Sequence, residues 1–568
     1  MSRALSPQLV SCPSTRTARA AAARTAAARA AAGLAVAALL AAAPASGQQL
    51  LYGVTGTDAD GLFGSTVASA GDVNADGTPD LLVGANNEGV PGAAWGAARV
   101  LSGKGGATLR TWTGTAATDA FGSAVAGVGD VNKDGFADVI VGACLANGNG
   151  SNAGRAFVYS GATGAILFDL APAPAKSMFG YAVAGLGDLD GDTWPDFAVG
   201  APGYFQVGAP IGRVFVFSGR TGAQLDVVVG STAMTDFGSA IDDAGDVNGD
   251  GRHDLVIGEP YGSVGGRFEV RSGASLGTTL FAAAGNAGED FGYSVSGAGD
   301  VNHDGFADVI AGGYFADAAA GVARIYLGPS GAPGWVFHGD AAADHFGADV
   351  EDLGDVDKDG WADVAVSGYQ SAFSASLPGY VRVFSGRTGL VLYATILGPQ
   401  GGSVFGVDMA GAGDVNGDGW VDLAVGAQHY DGPAGEDIGR VEVYEVLQHA
   451  TNVGFGGPGA AKLSMYGSPL DDFGQMDLKL TDAKANAPAW IIASPSTGFL
   501  TFKGGVLVPD LGLSVIVPLV TNGAGQITVP GILGGFGPAS VVIQYVIKDA
   551  GQPFGYAMSN AVAPFFMP

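Results

Sequence analysis

An all-β fold is predicted for this 568-residue chain: a seven-bladed β-propeller closed by an N-terminal strand, then a small β-sandwich-like C-terminal domain. Three observations predict it. An acidic loop of the form Asp-x-Asn/Asp-x-Asp-Gly-x-x-Asp starts at Asp72, Asp130, Asp188, Asp246, Asp300, Asp355 and Asp414, at intervals of 58, 58, 58, 54, 55 and 59 residues. A Phe-Gly pair precedes every loop by nine residues, at Phe63, Phe121, Phe179, Phe237, Phe291, Phe346 and Phe405. Between the loops, β-branched and aromatic runs bounded by Gly, Asn and Ser read as four short strands per unit, the content of one propeller blade.

The first element, residues 1–47, carries five Arg and no acid, then an apolar run from Ala31 to Ala43. Ala45 and Gly47 supply small residues at a cleavage site, so this reads as a secretory signal peptide; an Ala-rich tail is the competing reading. The expected location is therefore secreted or cell surface. No other stretch reaches the roughly 18 uninterrupted apolar residues of a membrane helix, so no membrane span is expected in the mature chain. Cys12 leaves with the leader and Cys144 remains alone, which excludes a disulfide framework and favours a small buried residue at a strand end.

The propeller is assigned to residues 48–450. In the second unit, Phe121–Asp130 leads to the loop, then to Val-Ile-Val-Gly-Ala143, a variable Gly/Asn stretch, Gly154-Arg-Ala-Phe-Val-Tyr-Ser-Gly161 and Ala165–Leu170. The third strand recurs as Gly212–Gly219, Gly321–Gly328, Gly379–Gly386 and Gly439–Tyr444. Leu50-Leu-Tyr-Gly-Val-Thr55 resembles the fourth strands that precede later Phe-Gly pairs. It is therefore expected to complete the seventh blade, removing the edges an open array would expose.

The formal charge of −28 accompanies only 14% charged residues, so it reflects scarce Lys and Arg together with clustered Asp. Such a surface excludes nucleic acid as a plausible partner. Divalent cations could neutralise much of it. Hard cations such as Ca²⁺ take six to eight oxygens, and loop positions 1, 3, 5 and 9 with the carbonyl of position 7 supply such a set. Gly at position 6 permits the sharp turn in six loops; Thr193 replaces it in the third, which is the site expected to be weakest.

The Phe-Gly pairs, the Asp-rich loops and ends such as Gly200-Ala-Pro202 and Gly258-Glu-Pro260 resemble the FG-GAP repeats of the integrin α-chain propeller and its bacterial relatives. Gly312-Gly-Tyr314 and Ser367-Gly-Tyr369 depart from that closing motif. The resemblance implies up to seven structural Ca²⁺ ions. Their expected side-chain ligands are Asp72, Asn74, Asp76 and Asp80; Asp130, Asn132, Asp134 and Asp138; Asp188, Asp190, Asp192 and Asp196; Asp246, Asn248, Asp250 and Asp254; Asp300, Asn302, Asp304 and Asp308; Asp355, Asp357, Asp359 and Asp363; and Asp414, Asn416, Asp418 and Asp422. In this resemblance Asp at position 9 does the work of the bidentate Glu at EF-hand position 12, which here is apolar (Val83, Val141, Val199). A metal-free Asx-rich turn is the alternative for any one loop.

Position 7 carries Phe136, Trp194, Phe306, Trp361 and Trp420, expected to pack between adjacent blades rather than stack on sugars. His253 and His303, at variable loop positions, read as solvated decoration.

From Thr451 the spacing is lost, and the domain at 451–568 shows candidate strands at 462–466, 476–481, 489–492, 513–519, 526–529, 541–546 and 556–561. No catalytic constellation emerges. The six His lie in or near loops, and the one Gly-x-Ser-x-Gly match, Gly273 to Gly277, sits in a strand-connecting turn with no helix after it. The expected function is a non-enzymatic adhesion or ligand-binding scaffold for a protein or glycan, with the variable stretches Asn86–Ala94 and Leu145–Asn152 as candidate ligand surface. The competing classes are a carbohydrate-active lyase or hydrolase, which would need titratable groups converging outside the loops, and an inert envelope component.

Overall fold

A computed structural model describes residues 49–446 apart from 91–92, 117, 204, 207–208, 262–264, 370–376 and 394, and the backbone of the strands between 451 and 563. The leader assigned to residues 1–47 lies outside the described residues.

Each repeat folds into one antiparallel four-stranded blade. Blade 1 comprises Thr66–Gly71, Asp80–Ala85, Ala97–Leu101 and Thr108–Thr113. Blades 2 to 6 follow with first strands Phe121–Gly129, Val183–Gly187, Ile241–Gly245, Ser294–Gly299 and Phe346–Gly354. Blade 7 takes Phe405–Gly413, Asp422–Ala427 and Arg440–Glu445 from the end of the array and its outermost strand, Gln49–Thr55, from the beginning. That last pairing is antiparallel, from Gln49 opposite Glu445 to Thr55 opposite Arg440, and it closes the ring as expected. First strands of neighbouring blades lie side by side through all seven and back to the start, so they surround the central axis.

The second strands, such as Asp80–Ala85 and Asp138–Ala143, are buried at every residue because both sheet faces are covered by neighbouring blades. The core is accordingly divided into seven clusters, one at each blade interface. The closing interface packs Phe63, Leu81 and Val83 of blade 1 against Ala424, Val441 and Val443 of blade 7. All seven Phe of the Phe-Gly pairs are at most 2% exposed, each worth about 1.5–3 kcal/mol of burial. The glycine after each is obligatory: Gly64 has φ +81° and a Cβ there would lie 2.6 Å from the Arg440 carbonyl oxygen.

The C-terminal strands form one sheet in the order 451–452, 562–563, 542–548, 488–494 and 515–520, with 556–558 beside 542–548. A second sheet joins 462–467, 475–481 and 527–533, and 497–502 pairs with 505–509. The described elements of this region are all strands, but that last hairpin has no counterpart among the strands read from sequence. No described helix is long and apolar enough to cross a membrane.

Candidate metal centres and the central channel

Each acidic loop joins the first strand of a blade to the second, and all seven close by the same hydrogen bonds. The position-1 carboxylate accepts from the N–H groups of positions 5 and 6; in the second loop Asp134 N and Gly135 N donate to Asp130 at 3.0 and 2.8 Å. Position 3 accepts from the N–H of position 5, as Asn132 does from Asp134 at 2.8 Å, and position 5 accepts from position 7. The third loop keeps this arrangement although Thr193 stands at position 6: its N–H donates to Asp188 at 2.8 Å. Thr193 does so at φ +75°, close to the +89° of Gly135, a region that disfavours a β-branched residue.

The position-9 aspartates, Asp80, Asp138, Asp196, Asp254, Asp308, Asp363 and Asp422, are 0 or 1% exposed. Their Oδ2 atoms accept from the position-2 N–H, as Asp138 does from Val131 at 3.0 Å. Burial is the leading cause of their elevated pKa values, with nearby carboxylates adding to it: about 6 for Asp80, Asp138 and Asp254, about 7 for Asp308, about 8 for Asp422 and about 9 for Asp363. Asn74 and Asn248 turn Nδ2 toward the position-9 carboxylate at 3.2 Å. Basic side chains reach position 5 in three loops: Lys104 to Asp76 at 3.0 Å, Arg220 to Asp192 at 3.8 Å and Arg387 to Asp359 at 3.7 Å.

These donor sets fit a hard cation. Two oxygens sharing one Ca²⁺ at 2.3–2.6 Å lie within about 5 Å of each other. Asp188, Asp190 and Asp196 place ligand oxygens within 4.8 Å of one another, and so do Asp355, Asp357 and Asp363. These are the two loops with Asp rather than Asn at position 3, so the third loop, expected to be weakest, still has a carboxylate cluster compact enough for one cation.

Neighbouring loops are linked. Where position 8 is alanine its backbone N–H donates to the position-1 carbonyl of the preceding blade's loop: Ala137 to Asp72 at 3.1 Å, Ala307 to Asp246 at 3.1 Å and Ala362 to Asp300 at 3.2 Å. Position-4 side chains pack on the next loop's position-7 ring: Lys133 lies 3.6 Å from the Trp194 centroid, Lys358 3.8 Å from that of Trp420, and His303 4.9 Å from that of Trp361. The position-7 tryptophans therefore pack between blades, as expected. Both loop histidines are exposed, and each also has a partner. His303 stacks on Trp361, and His253 Nδ1 lies 2.6 Å from Asp243, whose hydrogen bond raises the imidazole pKa.

Sequence reasoning missed a second constellation. The axial channel, about 1020 Å³, is lined by first-strand residues of all seven blades. It brings together Asp242, Asp349, Glu351 and Asp408, with Tyr293, Tyr314, Tyr369 and His345 at one end. The signal was the register: three and five residues after the Phe of the Phe-Gly pair, blades 2 and 3 carry Ala where blades 4, 6 and 7 also use acids. These acids tie blades together. Asp408 accepts from Val67 N at 2.6 Å, Glu351 from Gly411 N at 3.0 Å, and Asp242 from Ser296 Oγ at 2.8 Å. Burial raises Asp242 and Asp408 to about 7 and Asp349 and Glu351 well above the usual range.

An FG-GAP repeat model matches residues 63–99, 121–159, 179–217, 237–275 and 405–444. The fifth and sixth blades, outside these stretches, are those with the altered closing motif. The chain is 30% identical over 209 residues to integrin alpha-V of Gallus gallus, covering 34% of this chain and 20% of that protein. It is 33% identical over 163 residues to integrin alpha-3 of Cricetulus griseus (26% and 15% covered) and 34% over 161 residues to integrin alpha-IIb of Mus musculus (25% and 16%). The matched region thus spans a fifth or less of these relatives. A solved fungal alcohol oxidase in complex with copper superposes with a TM-score of 0.41 and 12% identity, over 92% of this chain and 100% of that one, too distant a likeness to bear on fold or chemistry. Seven Phe-Gly and acidic-loop units in one closed ring, together with these matches, place the chain in the FG-GAP repeat, integrin α-like family.

Proposed function

We propose that the chain is a secreted, calcium-stabilised propeller that serves as an adhesion or ligand-binding scaffold at the cell surface or extracellular matrix. The observation that carries this reading is the division of the ring into two faces. Because strands alternate in direction within a blade, every acidic loop lies at one end of the ring, with the turns between third and fourth strands. The connections between second and third strands, including Asn86–Ala94 and Leu145–Asn152, lie at the other. A rigid scaffold that fixes metal loops on one face leaves the variable loops of the opposite face available for recognition. Three exposed apolar side chains, Met234 (68%), Phe315 (44%) and Leu377 (53%), sit on connections of that face.

The cation's proposed role is structural: it would be held by the 28 residues named for the seven loops and would neutralise their buried carboxylates. Residues 1–47 as a cleaved leader, residues 451–568 as a separate domain and a protein or glycan partner belong to the same proposal.

A carbohydrate-active enzyme would have to use the channel carboxylates. Three of the four named there already accept a hydrogen bond from the neighbouring blade, which favours a structural role. The test is binding of the calcium-loaded protein to arrayed glycans and immobilised matrix proteins, alongside reducing-sugar release from polysaccharides. The scaffold reading expects a ligand lost on substituting Phe315 or Leu377 and no sugar release. Sugar release abolished by Glu351→Gln would replace that reading with catalysis.

A further inference from the structure

The seventh loop differs from the other six at its buried end. In blades 1 to 6 the Oδ1 of the position-9 aspartate accepts from the backbone N–H of a glycine just past the third strand: Gly103, Gly161, Gly219, Gly273, Gly328 and Gly386, at 2.8–3.1 Å. In blade 7 the register places Val446 at that position, and Asp422 Oδ1 accepts no hydrogen bond although the residue is fully buried. A buried carboxylate oxygen left without a donor is costly unless something positive meets it.

The preceding position also changes. Five blades carry serine there (Ser102, Ser160, Ser218, Ser272 and Ser385) and blade 5 carries Leu327, whereas blade 7 carries Glu445. Glu445 is 7% exposed, sits directly opposite Asp422 in the ladder and lies beside Asp418 of the loop. A donor has thus been removed and a carboxylate added at the same corner. A fourth carboxylate beside Asp414, Asp418 and Asp422 would repel its neighbours, whereas a divalent cation would draw all four together.

We propose that Glu445 is an additional ligand of the seventh acidic loop, raising it from three carboxylates to the four that the third and sixth loops carry, and that a cation there clamps the closing strand pair. This rests on the reading of the loops as cation sites. Glu445 is the residue through which loop and closure meet, since its other ladder neighbour is Gln49 of the N-terminal strand. In blades 1 to 6 the outermost strand continues covalently from the third; in blade 7 it is held by pairing alone. A cation on Glu445 fixes the end of the strand to which 49–55 is paired. More carboxylates at a site mean tighter calcium binding.

The test is calorimetric Ca²⁺ titration of the full mature chain and its Glu445→Gln and Glu445→Ser variants, with hydrogen exchange of the 49–55 amides with and without Ca²⁺. Serine is the residue five other blades accommodate at this position. Expected is a loss of about tenfold in affinity at one site in both variants, the other sites unchanged, and calcium-dependent protection of 49–55 that the variants lose. Asp134→Asn, in the second loop, should weaken one site without affecting exchange at 49–55. If wild type binds Ca²⁺ and either variant matches it in both readouts, the role of Glu445 is refuted while the reading of the loops stands. If wild type binds no cation, that reading falls first and the proposal with it.

Discussion

Replacing Thr193 by glycine should stabilise the protein, because Thr193 holds φ +75° where the other six loops use glycine at +82° to +95°. A left-handed conformation costs an L-residue about 1–2 kcal/mol, and glycine removes that strain. Glycine returns about 0.4–1 kcal/mol through the greater freedom of the unfolded chain. The exposed bond from Lys133 Nζ to Thr193 Oγ1, 2.8 Å long, is worth about 0.5 kcal/mol at most. The net gain is up to about 1 kcal/mol, or roughly 1–2 °C in a domain of this size. Thr193→Ala should recover less, since it keeps a Cβ at the same φ. The reciprocal Gly135→Thr should lose a comparable amount. Thermal melts of the three variants at saturating calcium decide the matter: a lower Tm for Thr193→Gly, or an unchanged one for Gly135→Thr, would refute the shared loop geometry.

Chelation should lower stability steeply. At about 1 mM Ca²⁺ and a Kd of about 0.1 mM, each site contributes roughly 1.4 kcal/mol and seven together about 10 kcal/mol; an unchanged melt in excess EDTA contradicts this. Stripped of metal, the protein should lose stability as pH rises from about 4 to 8. The position-9 carboxylates have folded pKa values raised above the unfolded one, so their contribution is full below the unfolded value and disappears as pH passes the folded values near 6 to 9. Melts of resin-stripped protein across this range, repeated with Ca²⁺, should show the slope only without metal. Asp408→Ala leaves the Val67 N–H without its acceptor and should cost about 1–3 kcal/mol in denaturant unfolding, whereas Asp408→Asn, which keeps an acceptor, should cost less.

The sequence alone determined the repeat, the number of blades and the identity of each loop, because these are local. A left-handed glycine, an aspartate that caps its own loop and a β-branched second strand leave a mark at fixed spacing wherever the unit recurs. Ring closure was legible for the same reason, since Leu50–Thr55 carries the pattern of a fourth strand without the rest of a blade. The third loop needs both levels: the sequence marks Thr193 as the odd residue at position 6, and the structure shows that the hydrogen bonds around Asp188 keep the loop's shape at a left-handed φ. Only the tertiary structure brought Asp242, Asp349, Glu351 and Asp408 into one channel, because they come from three blades and are adjacent only once the ring closes. It alone also set Glu445 against the seventh loop. Those groups interact across blades far apart in sequence, and no spacing within one repeat records such a contact.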